Sequence, residues 1–566
     1  MSEIRYELLY EKDVPIPVND GLVLRANVFR PKAEGHFPVV MAAGCYGKDT
    51  HFADGFSVQW EKLLKIYPDL CANGSTGQYL RWETVDPERW VPEGFVVIQV
   101  DSRGTGSSPG YLDPRSPREI QDYYDAIEWA GTQPWSNGKV GLIGISYYAF
   151  TQWSVAALQP PHLAAIVPWE GLVDYYRDST HHGGIYANGF NEAWWPRQVW
   201  INQHGNGDTR YRDRETGLPP TGKALTAAQL EANRASYEQD LRSRPLDSQW
   251  YRQRSPRLSR VTVPVLSAGN WGGPGMHLRG NIEGYRLASS KQKWLSMHIG
   301  THWDSFYLPE YVAIQKRFFN HFLKGEENGW DKTPPVQLAI RQLDGTAIHR
   351  DETEFPIART EYTKFFLDGA TSQLGRTAPE AGSVSYDAMS DGVTFSTPAF
   401  EEDMEFTGHV NLRLHVSSST KDMDVFAILR VFDPDGKEVI FNGAHEPTPL
   451  ARGWLRASAR KTDPALSWPE RVWHTHDEVQ KLTPNEPYVL DVEIWPTCIT
   501  MKPGYRLALT LMGKDFEYPG IPSRIGHNDP GDRDHPDFKG INTILTGGET
   551  ASYLTLPIIP ERKKGN

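Results

Sequence analysis

Cysteine is scarce in this chain of 566 residues, which has only Cys45, Cys71 and Cys498. An odd, sparse set builds no disulfide framework, and without a C-x-x-C pair there is no thiol metal or redox centre. Long apolar runs are also missing. No stretch approaches the roughly 18 uncharged apolar residues of a membrane-spanning helix, so no membrane partner is expected. Residues 1–13 alternate charge and bulk, with no apolar run ahead of a small-residue cleavage site, so no signal peptide is expected. Basic charge is in deficit: 59 Lys and Arg face 71 Asp and Glu, a net charge of -12, which argues against nucleic acid as a partner. A reducing, cytoplasmic setting is the resulting expectation.

Aromatics are plentiful, with 19 Trp, 25 Tyr and 22 Phe, enough to build large cores and to wall apolar pockets. The chain is too long for one hydrophobic core, and about three or four structural units of ordinary size are expected.

Residues 22–29 follow an Asp20-Gly21 turn, which reads as a hairpin strand. Short apolar runs at 37–43, 95–100, 140–143, 163–167 and 263–268 have the continuous character of strands covered on both faces. Helical patterns at 120–129 and 147–158 alternate with them, and the second is apolar nearly all round, as in a buried helix. This alternation predicts a doubly wound α/β sheet. Residues 174–257 turn polar and contain one long helical stretch at 224–242, which predicts a helical cap; a further insertion spans 50–90. The sheet resumes near 258 and closes with a helix at 311–323. From 335 onward, alternating strands at 409–417, 425–432, 488–495 and 505–511 predict an antiparallel β-sandwich. The expected organisation is an α/β sheet domain in two parts, 1–173 and 258–334, a cap at 174–257 and a jelly-roll β-sandwich at 335–566. The tail after Arg562 is expected to fray.

The main chemical signal is Gly144-Ile145-Ser146-Tyr147. A buried strand ends at Gly144 and a helix starts just after Ser146, the setting of a nucleophile elbow. There the serine Oγ is exposed at a helix N-terminus, where the dipole favours developing negative charge. The full G-x-S-x-G is incomplete because Tyr148 stands at its last position, and an N-cap serine is the bland alternative.

At this point the chain resembles the family of cocaine esterase, α-amino acid ester hydrolases and X-prolyl dipeptidyl peptidases. The family's G-x-S-Y-x-G and T-Q-W appear as Gly144 to Ala149, with Ala149 replacing the last Gly, and Thr151-Gln152-Trp153. Its D-x-R-G-x-G-x-S-x-G appears from Asp101 to Gly110. The resemblance covers nearly the whole chain and implies an α/β-hydrolase sheet domain, a helical cap and a C-terminal jelly roll. It also implies an oxyanion hole made by a tyrosine hydroxyl, matched by Tyr46, and the N–H after the nucleophile, matched by Tyr147.

The general base is expected on a loop late in the sheet domain. His302, in Gly300-Thr301-His302-Trp303, fits and resembles the family's G-P-W-x-H segment; His298, inside the preceding strand, is its rival. Relatives carry G-W-x-D after the strand at 263–268, but here the Asp position is Gly273. Glu170, just past the strand at 163–167, is the best substitute acid, with Asp304, Glu283 and Asp174 as alternatives. Trp169, Trp271 and Trp303 flank these loops and are expected either to wall a substrate pocket or to pack under the cap.

No cofactor or metal is expected. His181-His182 lacks a third ligand at suitable spacing, and the stretch from His527 to His535 reads as a solvated loop rather than a calcium loop. The reading is a serine esterase acting on a small-molecule ester through an acyl-enzyme. An amidase or dipeptidyl peptidase is the alternative; it would need carboxylates such as Glu192, Asp208 and Asp213 to hold a substrate ammonium. A non-catalytic binding protein is the third reading, permitted by Gly273. A homo-oligomer is compatible with the sequence.

Overall fold

In the computed structural model, which describes residues 5–444 and 447–561, a ten-stranded sheet carries the first half of the chain. Its strands are β1 (Leu8–Pro17), β2 (Val23–Pro31), β3 (Phe37–Gly44), β4 (Val96–Asp101), β5 (Ser136–Ile145) and β6 (Leu163–Trp169). After a two-stranded hairpin, β7 (His181–His182) and β8 (Ile185–Tyr186), come β9 (Val265–Asn270), β10 (Lys293–His298), β11 (Val336–Arg341) and β12 (Ala347–Glu352). The order is β1-β2-β4-β3-β5-β6-β9-β10-β11-β12. Strands β4, β3, β5, β6, β9, β10 and β11 run parallel, while β1, β2 and β12 are added antiparallel at the two edges.

Buried apolar side chains alternate between the two faces of the central strands. Val40, Ala42, Ile143, Ile145 and Val167 join the core on one face, and Val39, Met41, Leu142 and Ile166 join the core on the other. That is why these strands read as unbroken apolar runs. The helix Tyr147–Ala156 has all ten residues buried, which explains its apolar circumference. The sheet does not stop at 334, because β11 pairs with β10 and β12 returns along β11 as far as Glu352.

The expected long helix at 224–242 is broken in two. Ala227–Ala232, capped by Thr226 and Gln229, is followed by Tyr237–Arg242. Between them the backbone at Asn233 and Ala235 hydrogen-bonds to both sides of Leu112, at 2.9 Å each, so this segment is held extended by a loop distant in sequence. Among the described residues of 174–257, no helix exceeds the seven residues of Asn188–Trp194.

The C-terminal strands are β13 (Glu361–Asp368), β14 (Gln373–Gly375), β15 (Gly382–Asp387), β16 (Val393–Ser396), β17 (Met404–Ser418) and β18 (Asp424–Phe432). They continue as β19 (Glu438–Val439), β20 (Ala451–Arg456), β21 (Tyr488–Met501), β22 (Arg506–Met512), β23 (Ile541–Thr546) and β24 (Tyr553–Ile559). The path β17-β21-β20-β18-β22-β16-β14-β13-β24 closes because β24 also pairs with β17. The strands therefore form a hydrogen-bonded ring around one core containing Leu412, Leu429 and Leu509, rather than two separate sheets. A further core, with Trp271, Phe426, Trp454 and Trp495, joins this ring to the α/β domain. Among the described residues, no helix is long and apolar enough to cross a membrane. The tail after Arg562 lies outside the described residues.

Candidate active site

The site collects at the carboxyl ends of the parallel strands, where an open α/β sheet leaves a crevice. Ser146 sits between β5 and the helix Tyr147–Ala156 with φ 58° and ψ -111°. A non-glycine residue held there costs about 1–3 kcal/mol, and surrounding bonds maintain it. The Ser146 N–H donates to the carbonyls of Trp169 and Glu170 at 3.0 and 3.2 Å, and Ile145 N–H donates to the Glu83 carbonyl at 3.0 Å. Tyr147 opens the helix, so its N–H belongs to the first turn, which lacks intrahelical acceptors.

Glu170, at φ 47° just past β6, is fully buried. Its Oε2 meets His302 Nδ1 at 2.7 Å, and its Oε1 meets His298 Nε2 at 2.9 Å and Asn270 Nδ2 at 3.3 Å. Burial alone would raise this carboxyl, but His302 and His298 outweigh it and hold Glu170 below the usual glutamate range. The structure thus brings Glu170 to His302 across 131 intervening residues of chain, and His298 becomes a second clamp on the same carboxylate.

The other face of His302 departs from expectation. Its Nε2 meets Glu83 Oε1 at 3.0 Å rather than Ser146. Ser146 Oγ instead has His277 Nε2 at 3.3 Å, and the His277 and His302 rings stack at 4.9 Å with 11° between planes. Burial works against a charged His302, yet Glu170 and Glu83 together raise its pKa to about 10. Glu83 is itself pushed up to about 7 by burial, against the pull of His302. These values belong to a coupled group of acids and imidazoles rather than to one side chain.

Sequence reasoning missed both Glu83 and His277. Glu83 lies in the 50–90 insertion at φ 63°, and no local pattern links it to a histidine late in the sheet domain. His277 lies four residues past Gly273, on the loop after β9, so a search of that loop for any titratable group would have found it.

Tyr46, two residues past β3, is buried, and its hydroxyl oxygen accepts from Trp194 Nε1 at 3.0 Å. Because Trp194 can only donate, the tyrosine proton must point elsewhere. Burial, with Glu83 nearby, pushes the Tyr46 hydroxyl well above its usual pKa, so it stays protonated and able to donate. Tyr147 turns its side chain away and donates to Glu119.

A cavity of about 460 Å³ opens onto Ser146, His277, His302, Glu83, Tyr46 and Trp303. Trp169 and Trp271 do not line it. Trp169 is fully buried, stacks on His298 and donates to Ser305 Oγ at 3.2 Å. Trp271 is buried in the core shared with the C-terminal ring.

The alternative acids are engaged elsewhere: Asp304 caps its own loop through Thr301 N–H at 2.9 Å, Glu283 pairs with Arg471 at 2.7 Å, and Asp174 pairs with Arg177 at 2.9 Å. Glu192 pairs with Arg242 and Asp213 with Lys12, while Asp208 is exposed, and none of the three lines the cavity. His181 stacks on Tyr176, and His182 Nδ1 meets His527 Nε2 at 2.8 Å, so His527 is buried rather than on a solvated loop. Among the described residues, no group of three or more metal-ligating side chains converges.

Residues 20–304 match the model of the X-Pro dipeptidyl-peptidase (S15 family), and 328–555 match the X-Pro dipeptidyl-peptidase C-terminal non-catalytic domain. A cocaine esterase from Rhodococcus sp. is 24% identical, over 97% of this chain and 98% of its own length. An Xaa-Pro dipeptidyl-peptidase from Streptococcus gordonii is 21% identical, over 88% of this chain and 72% of its own. Among solved structures, a CocE/NonD family hydrolase from Staphylococcus aureus is 34% identical with a TM-score of 0.84, covering 98% of this chain and 94% of that one. An α-amino acid ester hydrolase at 17% identity and TM-score 0.68, covering 99% and 98%, shares the fold. With an elbow serine, a histidine on its Oγ and both family models in order along the chain, this protein belongs to the S15 family of X-Pro dipeptidyl-peptidases, a family of serine hydrolases.

Proposed function

We propose that the chain is a serine esterase that works through an acyl-enzyme on Ser146. The observation that carries this reading is the strained Ser146, with an imidazole nitrogen 3.3 Å from its Oγ and a protonated tyrosine in the same cavity. Ser146 Oγ attacks the ester carbonyl carbon. His302 Nε2 takes the serine proton and returns it to the departing alkoxide, and Glu170 orients the ring through Nδ1. The tetrahedral oxyanion accepts from the Tyr46 hydroxyl and the Tyr147 N–H, each contributing about 3 kcal/mol. Water, deprotonated by the same histidine, then attacks the acyl carbon, the bond to Ser146 Oγ breaks as the histidine returns the proton to it, and the acid leaves. This route requires Glu83 to release Nε2 so that Ser146 can turn to it. The Ser146–His277 contact favours a second reading, in which His277 takes the proton directly.

Ester rather than amide substrates fit because Glu192, Asp208 and Asp213 stand outside the cavity, and among the described residues its one lining carboxylate, Glu83, is held by His302. The C-terminal ring, read as a closed jelly roll, supplies one wall through Pro522 and Ser523. Three free thiols suit a reducing, cytosolic setting.

Hydrolysis of p-nitrophenyl acetate, butyrate and octanoate and of an Ala-Pro anilide tests the proposal. Ser146→Ala should abolish ester turnover and fluorophosphonate labelling. Glu170→Gln should lower kcat by about 10⁴-fold. His302→Ala and His277→Ala decide between the two bases, the true base giving the larger loss. Cleavage of the anilide alone would replace the esterase reading with the peptidase one.

A further inference from the structure

The mouth of the cavity carries two arginines from different parts of the chain. Arg197 comes from the cap turn Trp195–Val199, and Arg524 from the C-terminal loop after β22. Both are exposed, and among the described residues neither has an ion pair or hydrogen bond.

Carboxylates are in surplus in this protein, 71 against 59 cations, so lone arginines do not follow from a shortage of partners. The described acids around the mouth are engaged elsewhere. Glu83 is on His302 at 3.0 Å, Glu517 accepts from Ser523 N–H at 3.2 Å, and both Glu192 and Asp529 hold Arg242. Arg242, clamped between those two carboxylates, shows how a structural arginine is held in this region. Among the described residues nothing engages the guanidinium forks of Arg197 and Arg524, which suit a carboxylate or another planar or tetrahedral anion.

We propose that Arg197 and Arg524 form a subsite for a negatively charged group, so that the substrate is an anionic ester, with its charge beyond the scissile bond. This inference rests on the esterase reading of the same cavity. It also separates that reading from the peptidase one, since two cations at the entrance repel a substrate ammonium. In a chain of net charge -12, these two guanidinium groups offer an anion a contact that the net charge of the protein otherwise disfavours.

The test compares kcat/KM for p-nitrophenyl butyrate, which is neutral, with two anionic probes of similar size. Mono-p-nitrophenyl glutarate carries its charge in the acyl chain, and 4-carboxyphenyl butyrate carries it in the leaving group. One anionic probe should exceed the neutral ester by about tenfold at low salt, and the ratio should shrink as salt screens the mouth. In the Arg197→Gln/Arg524→Gln double variant, that ratio should fall by about tenfold, and a ratio is insensitive to any general loss of folded enzyme. Whichever probe shows the effect tells where the subsite lies relative to Ser146. Equal rates for anionic and neutral esters, or a preference that survives the double variant, would overturn the inference and leave the esterase reading standing. If no ester is cleaved, calorimetric binding of monomethyl glutarate to the Ser146→Ala protein decides. Binding that the arginine substitutions remove supports the anion subsite while the esterase reading falls, and no binding overturns both.

Discussion

Between its two carboxylates, His302 is held charged at neutral pH, whereas a general base must be neutral. A carboxylate beside an imidazole stabilises the imidazolium, so removing one lowers the pH at which the ring loses its proton. Glu83→Gln is therefore expected to shift the acidic limb of the kcat/KM profile to lower pH by roughly one unit, equivalent to about 1.4 kcal/mol of lost interaction. A limb that stays in place would remove His302 as the base and leave His277. The Trp194–Tyr46 contact makes a second prediction at this scale. Trp194→Phe removes the bond that aims the Tyr46 hydroxyl proton, so kcat should fall by about tenfold with KM changed less than about twofold, a pattern expected when a contact acts mainly in the transition state. An equal rise in KM would mark Trp194 as a substrate wall instead.

At the scale of elements, the elbow depends on the absence of side chains beneath it. A Cβ on Gly144 would stand 2.5 Å from Tyr148 Cβ and 3.2 Å from the Glu83 carbonyl oxygen. Neither is the end of a flexible side chain, so the helix start or the Glu83 loop would have to move. Gly144→Ala should cost about 2 kcal/mol or more in urea unfolding and lower ester turnover along with it. A variant with unchanged midpoint and rate would show that the turn has room. Elements whose burial is uniform or strictly alternating were legible in the sequence: the parallel strands, the buried helix Tyr147–Ala156 and the C-terminal strands all fall near their expected places. The cap helix was not, because its break at Asn233–Ala235 is imposed by Leu112, more than a hundred residues away.

Across the whole molecule, the cap, the α/β sheet and the C-terminal ring close on one another. Arg279, buried, donates to Asp178 at 2.8 Å and to Glu493 at 3.1 Å, so one guanidinium joins all three parts. Removing it strands two carboxylates at the seam. Arg279→Met should cost about 3 kcal/mol or more, seen as a lower denaturant midpoint, and should weaken turnover because Arg524 and Ser523 reach the cavity from across that seam. A neutral effect on stability would mean that water replaces the arginine. The cavity itself has walls from all three parts, so its shape could not be derived from any one segment.

What the sequence determined by itself follows from short-range physics. Apolar periodicity set the order of strands and helices, and the tight Gly144–Ser146 junction put a serine at the N-terminus of a buried helix. Chain order at strand ends, with the family resemblance, was enough to suggest Glu170 and His302 together, although β9 lies between the strands that carry them. Only the tertiary structure decided which imidazole touches Ser146, that Glu83 reaches His302 from the early insertion, and that Trp169 and Trp271 pack in cores rather than facing the cavity. It also decided that Arg197 and Arg524 share one mouth. Those outcomes depend on contacts between residues far apart in the chain, where side-chain reach and burial matter and local pattern carries no information.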